Sequence, residues 1–98
     1  MAAGLTQAAK YGRTVRALNK VERQLRTLAP ASCTVQRVQR GGNVICEPTD
    51  APEKGFSVYL SWGNMSNGES VGHWVIAGKA FWYGDFEQAL KEVIAKHC

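Results

Sequence analysis

Ninety-eight residues, 45% hydrophobic and 20% charged with three prolines, make one domain with one core and exclude a wholly disordered or collagen-like chain. The formal net charge of +4 is unevenly spread: residues 1–40 carry eight Lys/Arg against one acid, Glu22, whereas residues 41–98 carry four Lys/Arg against seven acids. No apolar run approaches the roughly 20 residues that span a bilayer, and the opening Met1-Ala2-Ala3-Gly4-Leu5-Thr6 lacks the basic-then-apolar order of a secretory signal, so a cytoplasmic chain is expected.

After a flexible start over residues 1–5, the first element is a helix from Thr6 to Leu28. The Thr6 hydroxyl can cap it by accepting from an early N–H. Tyr11, Val15, Leu18, Val21, Leu25 and Leu28 follow one another at steps of three and four, which is one face of a 3.6-residue helix. Gly12 weakens the first third of this helix by about 1 kcal/mol relative to Ala, so fraying is expected there. Pro30 ends the helix by forcing Ala29 out of the α region.

Cys33–Gln39 and Asn43–Glu47 are β-prone runs around Arg40-Gly41-Gly42, and read as a hairpin. Val35 and Val38 stand three apart, which predicts a bulge in the first strand. A turn centred near Gly41-Gly42 sets Cys46 opposite about Arg37, not opposite Cys33. Pro48–Lys54 holds two prolines and two acids and reads as a loop.

In Gly55–Trp62, the residues Phe56, Val58, Leu60 and Trp62 alternate with Ser57, Tyr59 and Ser61, a strand with one buried and one wetter face. Gly63–Glu69 is a polar turn. Val71–Ala77 is a further strand, Gly78-Lys79 a turn or kink, and Ala80–Tyr83 a continuation of the sheet. The second helix opens at Asp85, an N-cap with Gln88 placed to complete a capping box. Phe86, Ala89, Leu90, Val93 and Ile94 form its apolar face, and Glu87/Lys91 and Glu92/Lys96 are spaced as i,i+4 ion pairs. The expected fold is α+β: a single domain over residues 1–98 with a three- or four-stranded antiparallel sheet between an N-terminal and a C-terminal helix. Both helices cover one face of the sheet.

The first helix carries the strongest functional signal. Arg13, Arg16, Lys20 and Arg23 lie almost opposite its apolar face, with Lys10 and Arg26 flanking them, and Arg37 and Arg40 add charge in the hairpin. Such a stripe can follow phosphates, releasing counterions as it does so, or meet an acidic protein surface. The bland alternative is a solvated helix face, since Lys and Arg are good helix formers. The second signal is aromatic. Phe81-Trp82-Tyr83 cannot all point inward from a strand, so at least one ring is expected to be exposed, with Trp82 and Tyr83 the candidate binding anchors.

Chemistry is weakly signalled. Cys33, Cys46, His73, His97 and Cys98 show no Cys-x-x-Cys or His-x-x-x-His spacing, so no metal and no cofactor are expected. An odd cysteine count without an export signal fits free thiols. Ser61, Ser70 and His73 lack a nucleophile signature, and only a Cys46–His73 pair stands as a catalytic alternative. A non-enzymatic protein is expected.

The order of elements resembles that of the double-stranded-RNA-binding domain. That family places lysines at the start of its last helix, where this chain has the acidic Gly84-Asp85-Phe86-Glu87, so no residue carries over. The stretch from Trp74 through Gly78, Phe81 and Gly84-Asp85 to Glu87-Gln88-Ala89-Leu90, about a quarter of the chain, resembles the ending of small phage accessory proteins. This resemblance implies a compact inhibitor or adaptor acting on a host protein or ribonucleoprotein complex, for example a defence complex. The alternatives are a protein that binds the DNA or RNA backbone, and a homodimer paired through its first helix.

Overall fold

A computed structural model describes residues 4–98. The expected flexibility of residues 1–3 lies outside the described residues, and Leu5 is tied down by its N–H, which donates to Ser70 Oγ at 2.8 Å. Helix α1 spans Gln7–Leu28 without a break at Gly12. Its cap is Thr6, whose hydroxyl accepts from the Ala9 N–H at 3.1 Å. Ala29 leaves the helix at φ −71°, ψ 140°, the extended conformation that a following proline imposes.

Five strands follow: β1 (Cys33–Val38), β2 (Asn43–Pro48), β3 (Phe56–Asn64), β4 (Ser70–Ile76) and β5 (Lys79–Phe81). They form one antiparallel meander in the order β1-β2-β3-β4-β5. A single 3-10 turn, Pro52–Lys54, sits in the β2–β3 loop. Helix α2, Phe86–His97, closes the chain. The fold is therefore α+β with terminal helices, as the pattern predicts, with one strand more than expected. The extra strand comes from a tight turn: Ala77 and Gly78 both take positive φ, 51° and 79°, which folds Lys79–Phe81 back on β4.

The first hairpin differs from the sequence reading in two ways. Its register runs unbroken from Val38↔Asn43 to Cys33↔Pro48, so β1 has no bulge. Plain alternation instead turns Val38 outward and Arg37 inward. The turn is also centred one position earlier than Gly41-Gly42, which sets Cys46 opposite Val35. The left-handed residue in this turn is Gln39, at φ 61°, and neither glycine has positive φ. Space requires glycine at Gly42, where a Cβ would clash with the Val38 carbonyl oxygen, whereas at Gly41 it would meet the half-exposed Tyr11 ring at 2.7 Å.

Both helices lie on one face of the sheet. The core joins Leu18, Val21 and Leu25 of α1 and Leu90 and Ile94 of α2 to Val44, Cys46, Phe56, Val58 and Ile76 of the sheet. The outer face is wetter. Its Ile45 and Ser57 are half-buried and its Tyr59 is exposed, although Val75 beneath them is buried. On α2, Asp85 Oδ1 accepts from the Gln88 N–H at 3.1 Å. The reciprocal half of the capping box does not form, because the Gln88 side chain donates to Glu92 instead. Nor are Glu87/Lys91 and Glu92/Lys96 closed. The ion pairs among the described residues are Glu22 with Arg26 and Glu22 with Arg37.

A buried polar contact near its start helps to pin α1 to the sheet. The buried Thr14 hydroxyl accepts from Trp62 Nε1 at 2.8 Å and donates to the Lys10 carbonyl at 2.8 Å. Thr14→Val keeps the shape and leaves the indole N–H without its partner. The expected cost is about 1–3 kcal/mol, read as a lower urea midpoint with an unchanged slope.

Candidate functional site

The helical layer does not cover the sheet evenly. Helix α1 packs over β1, β2 and β3, and α2 packs beside it over β2. The inward side of β4 and β5 is left as the floor of an open groove of about 880 Å³. Gly72, Trp74 and Phe81 line it from the sheet, Phe86 closes one end, and Ala17, Lys20 and Gln24 form its α1 wall. The Trp74 and Phe86 rings pack at 5.3 Å, and Phe81 meets Phe86 edge-on at 5.7 Å. These packed rings make the floor apolar.

The rim is built from exposed side chains. Phe81 points inward as the last residue of β5. Alternation then sends Trp82 to the other side of the strand, where it stacks on His73 with ring centroids 4.1 Å apart. Trp82 remains 55% exposed, Tyr83 is 91% exposed, and Met65 from the β3–β4 turn is 52% exposed, all three on the groove. Gly84, at φ 109°, bends the chain from this rim into the Asp85 cap.

The basic stripe splits between two places. Arg13, Arg16, Lys20 and Arg23 fall within an arc of about 80° on α1 and are exposed. None of the four makes an ion pair among the described residues. Lys20 reaches the groove wall. Arg37 does not join them. Its side chain is only 15% exposed and is held against α1. It donates to Glu22 Oε1 at 3.0 Å, Asn19 Oδ1 at 2.9 Å, the Val15 carbonyl at 3.4 Å and the Arg40 carbonyl. Arg37 is a structural clamp between β1 and α1. Arg40 is exposed in the hairpin turn that packs on Tyr11, about half a helical turn around α1 from Lys20.

Glu22 is the acid that answers this clamp. Hydrogen bonds from Arg26 and then Arg37 hold its carboxyl below the ordinary value of 4.5. Folding therefore gains from Glu22 ionisation above the unfolded pKa, and that gain is lost as pH falls through the lower folded value. Glu22→Gln is expected to lower stability at pH 7 and to flatten its decline below pH ~4.5, checked by urea melts across pH 2.5–7.

The three cysteines, distant in sequence, converge at the other end of the sheet. Cys46 is buried, Cys33 is half-buried and Cys98 is exposed, and all are free thiols. Cys46 Sγ and Cys98 Sγ stand 3.8 Å apart. Burial pushes the Cys46 thiol above its ordinary value, and Cys98, an exposed residue, is raised as well by desolvation where its sulfur meets the other two thiols and by its hydrogen bonds with Cys33 and Cys46. Among the described residues no three His, Cys, Asp or Glu side chains are arranged to hold a metal ion. Cys46 faces this thiol cluster and His73 lies under Trp82, so the two do not form a pair. Ser61 is the cross-strand neighbour of His73, yet the buried His73 Nδ1 has no hydrogen-bond partner.

Sequence reasoning found the stripe and the two exposed rings, and missed the groove between them. One signal for it was present: a glycine inside a strand, Gly72, marks a place where something approaches the backbone closely. No helix among the described residues is long and apolar enough to cross a membrane. No protein-family model, no curated protein and no solved structure matches this chain.

Proposed function

We propose that the chain is a non-enzymatic binding protein that docks on an acidic protein surface through the β4–β5 groove. What supports this reading is one observation: Lys20 of the unpaired basic stripe lines the same groove as the exposed Trp82 and Tyr83. Exposed aromatics beside an apolar floor supply contact area, while Lys20 on the groove wall and the rest of the exposed stripe supply steering and orientation. An inhibitor or adaptor acting on a host complex, the role implied by the resemblance of the C-terminal quarter to small phage accessory proteins, is the biological form this docking would take. A homodimer through α1 is less favoured, because Val15, Leu18, Val21 and Leu25 are already buried in the chain's own fold.

Isothermal titration with an acidic, leucine- and valine-containing peptide and, in parallel, with generic duplex DNA tests the reading. Each titration is run at 0.05 M and 0.5 M salt. Peptide binding that weakens in both Lys20→Glu and Trp82→Ala is the expected result. DNA binding with a log–log salt slope near −0.9 per phosphate, indifferent to Trp82→Ala, would replace it with backbone binding to nucleic acid.

A further inference from the structure

The groove is bounded by an unfinished strand pairing. Seven residues of β4, Ser70–Ile76, pair with β3 on one side. On the other side β5 pairs only with Trp74, Val75 and Ile76. The ladder stops because the chain leaves the sheet after Phe81. The next pair in register, His73 with Trp82, survives only as stacked rings. Tyr83 then turns away into Gly84 instead of meeting Gly72.

The direction of the unused backbone groups follows from the turn. A two-residue turn at Ala77-Gly78 makes Ile76↔Lys79 the mutually hydrogen-bonded pair that closes the hairpin, and Trp74↔Phe81 the next such pair. The Ala77 N–H, which donates to the Ser57 carbonyl at 3.0 Å on the β3 side, has the alternate phase this requires. Continuing by twos, Gly72 and Ser70 turn their N–H and C=O away from β3, toward the edge that β5 does not reach. Gly72 also carries no side chain over the groove floor, and is exposed.

Resting on the docking reading above, the geometry points to β4 as a strand acceptor: an extended acidic segment of a partner protein adds beside Ser70–His73, pairing its backbone with Gly72. Alternate side chains of that segment enter the groove over Trp74, Phe81 and Phe86, and its acidic residues face Lys20 on the α1 wall. Charge selects the partner. A second copy of this chain, added edge to edge, would bring two unpaired cationic stripes together, whereas an acidic strand neutralises one. The opposite edge of the sheet is guarded: β1 carries the inward-pointing Arg37, and inward charge is one of the devices that discourages edge pairing. Among the described residues, the part of β4 that β5 does not reach is Ser-Val-Gly-His, which has no Lys, Arg, Asp, Glu or Pro and is met by Leu5 at the Ser70 hydroxyl.

The test uses the whole chain and a capped ten-residue peptide that alternates glutamate with valine and leucine. A second peptide is N-methylated at alternate residues, which removes the donors from one edge, and a third is N-methylated at the other set. Strand addition predicts that one methylated register binds about tenfold more weakly and the other nearly as well as the parent. It also predicts that hydrogen exchange at the Gly72 amide slows about tenfold or more in the complex. Equal binding of all three peptides with no Gly72 protection, while Lys20→Glu and Trp82→Ala still weaken binding, overturns strand addition and leaves the docking reading standing. Absence of peptide binding at 0.05 M salt overturns both.

Discussion

Replacing Leu18 by Ala is expected to remove about 2–5 kcal/mol of stability, the largest effect of any single substitution considered. Leu18 has no exposed surface and sits where α1 meets the sheet, in one cluster with Val21, Leu25, Val44 and Val58. Truncation leaves a cavity there, because α1 is already fixed along its length by Thr14 on Trp62 and by the Arg37 clamp and cannot close over the gap. A domain of this size has only about 5–15 kcal/mol to lose, so the melting temperature should drop by roughly ten degrees or more. Thermal unfolding by circular dichroism measures it. A fall of under three degrees would mean that α1 is not packed as described. Tyr11→Ala on the same helix provides the contrast, because Tyr11 is exposed.

The second large effect is on binding. Converting Arg13, Arg16, Lys20 and Arg23 together to Glu takes the formal charge from +4 to −4. All four are exposed and unpaired among the described residues, so the folded state loses no ion pair, and the change in stability should stay near 0.5 kcal/mol per site or below. Affinity for the acidic peptide should fall about a hundredfold, since each attraction is exchanged for a repulsion of similar size. Trp82→Ala should also weaken binding, but by an amount that changes little between 0.05 M and 0.5 M salt, because apolar contact is not screened. Equal salt dependence of the two losses would show that the stripe and the ring do not act on the same ligand in different ways.

Several features were legible in the residues because their causes are local. Thr6, Ala29-Pro30 and Asp85 set helix ends through their own hydroxyl, ring and carboxylate chemistry, and each end lies where those residues place it. The alternation of Phe56 to Trp62 fixed a strand and its buried face. The consecutive aromatics at 81–83 forced at least one ring outward by the two-residue period of a strand, and both Trp82 and Tyr83 are exposed. In contrast, the valine spacing in β1 misled: Val35 and Val38 suggested a bulge, where an inward arginine with a partner on α1 allows an unbroken ladder. A charged residue facing inward is stable only if a distant group answers it, and Glu22 is fifteen residues away in sequence.

The sequence by itself determined the α+β class with a helix before and after the sheet, the apolar face of α1 from Val15 to Leu25 and that of α2, and the exposure of rings after Phe81. These follow from periodicity, capping and steric restriction, which act over a few residues. Only the tertiary structure decided which cations remain free, since Arg37 is taken up by Glu22 and Asn19 while Lys20 is left on the groove wall. It alone brought Cys46 and Cys98 within 3.8 Å, and it alone left β4 longer than the strand beside it. Such outcomes depend on how two helices share one sheet face, and on where a strand ends relative to its neighbour. Both are set by long-range packing, where no single residue type carries the signal.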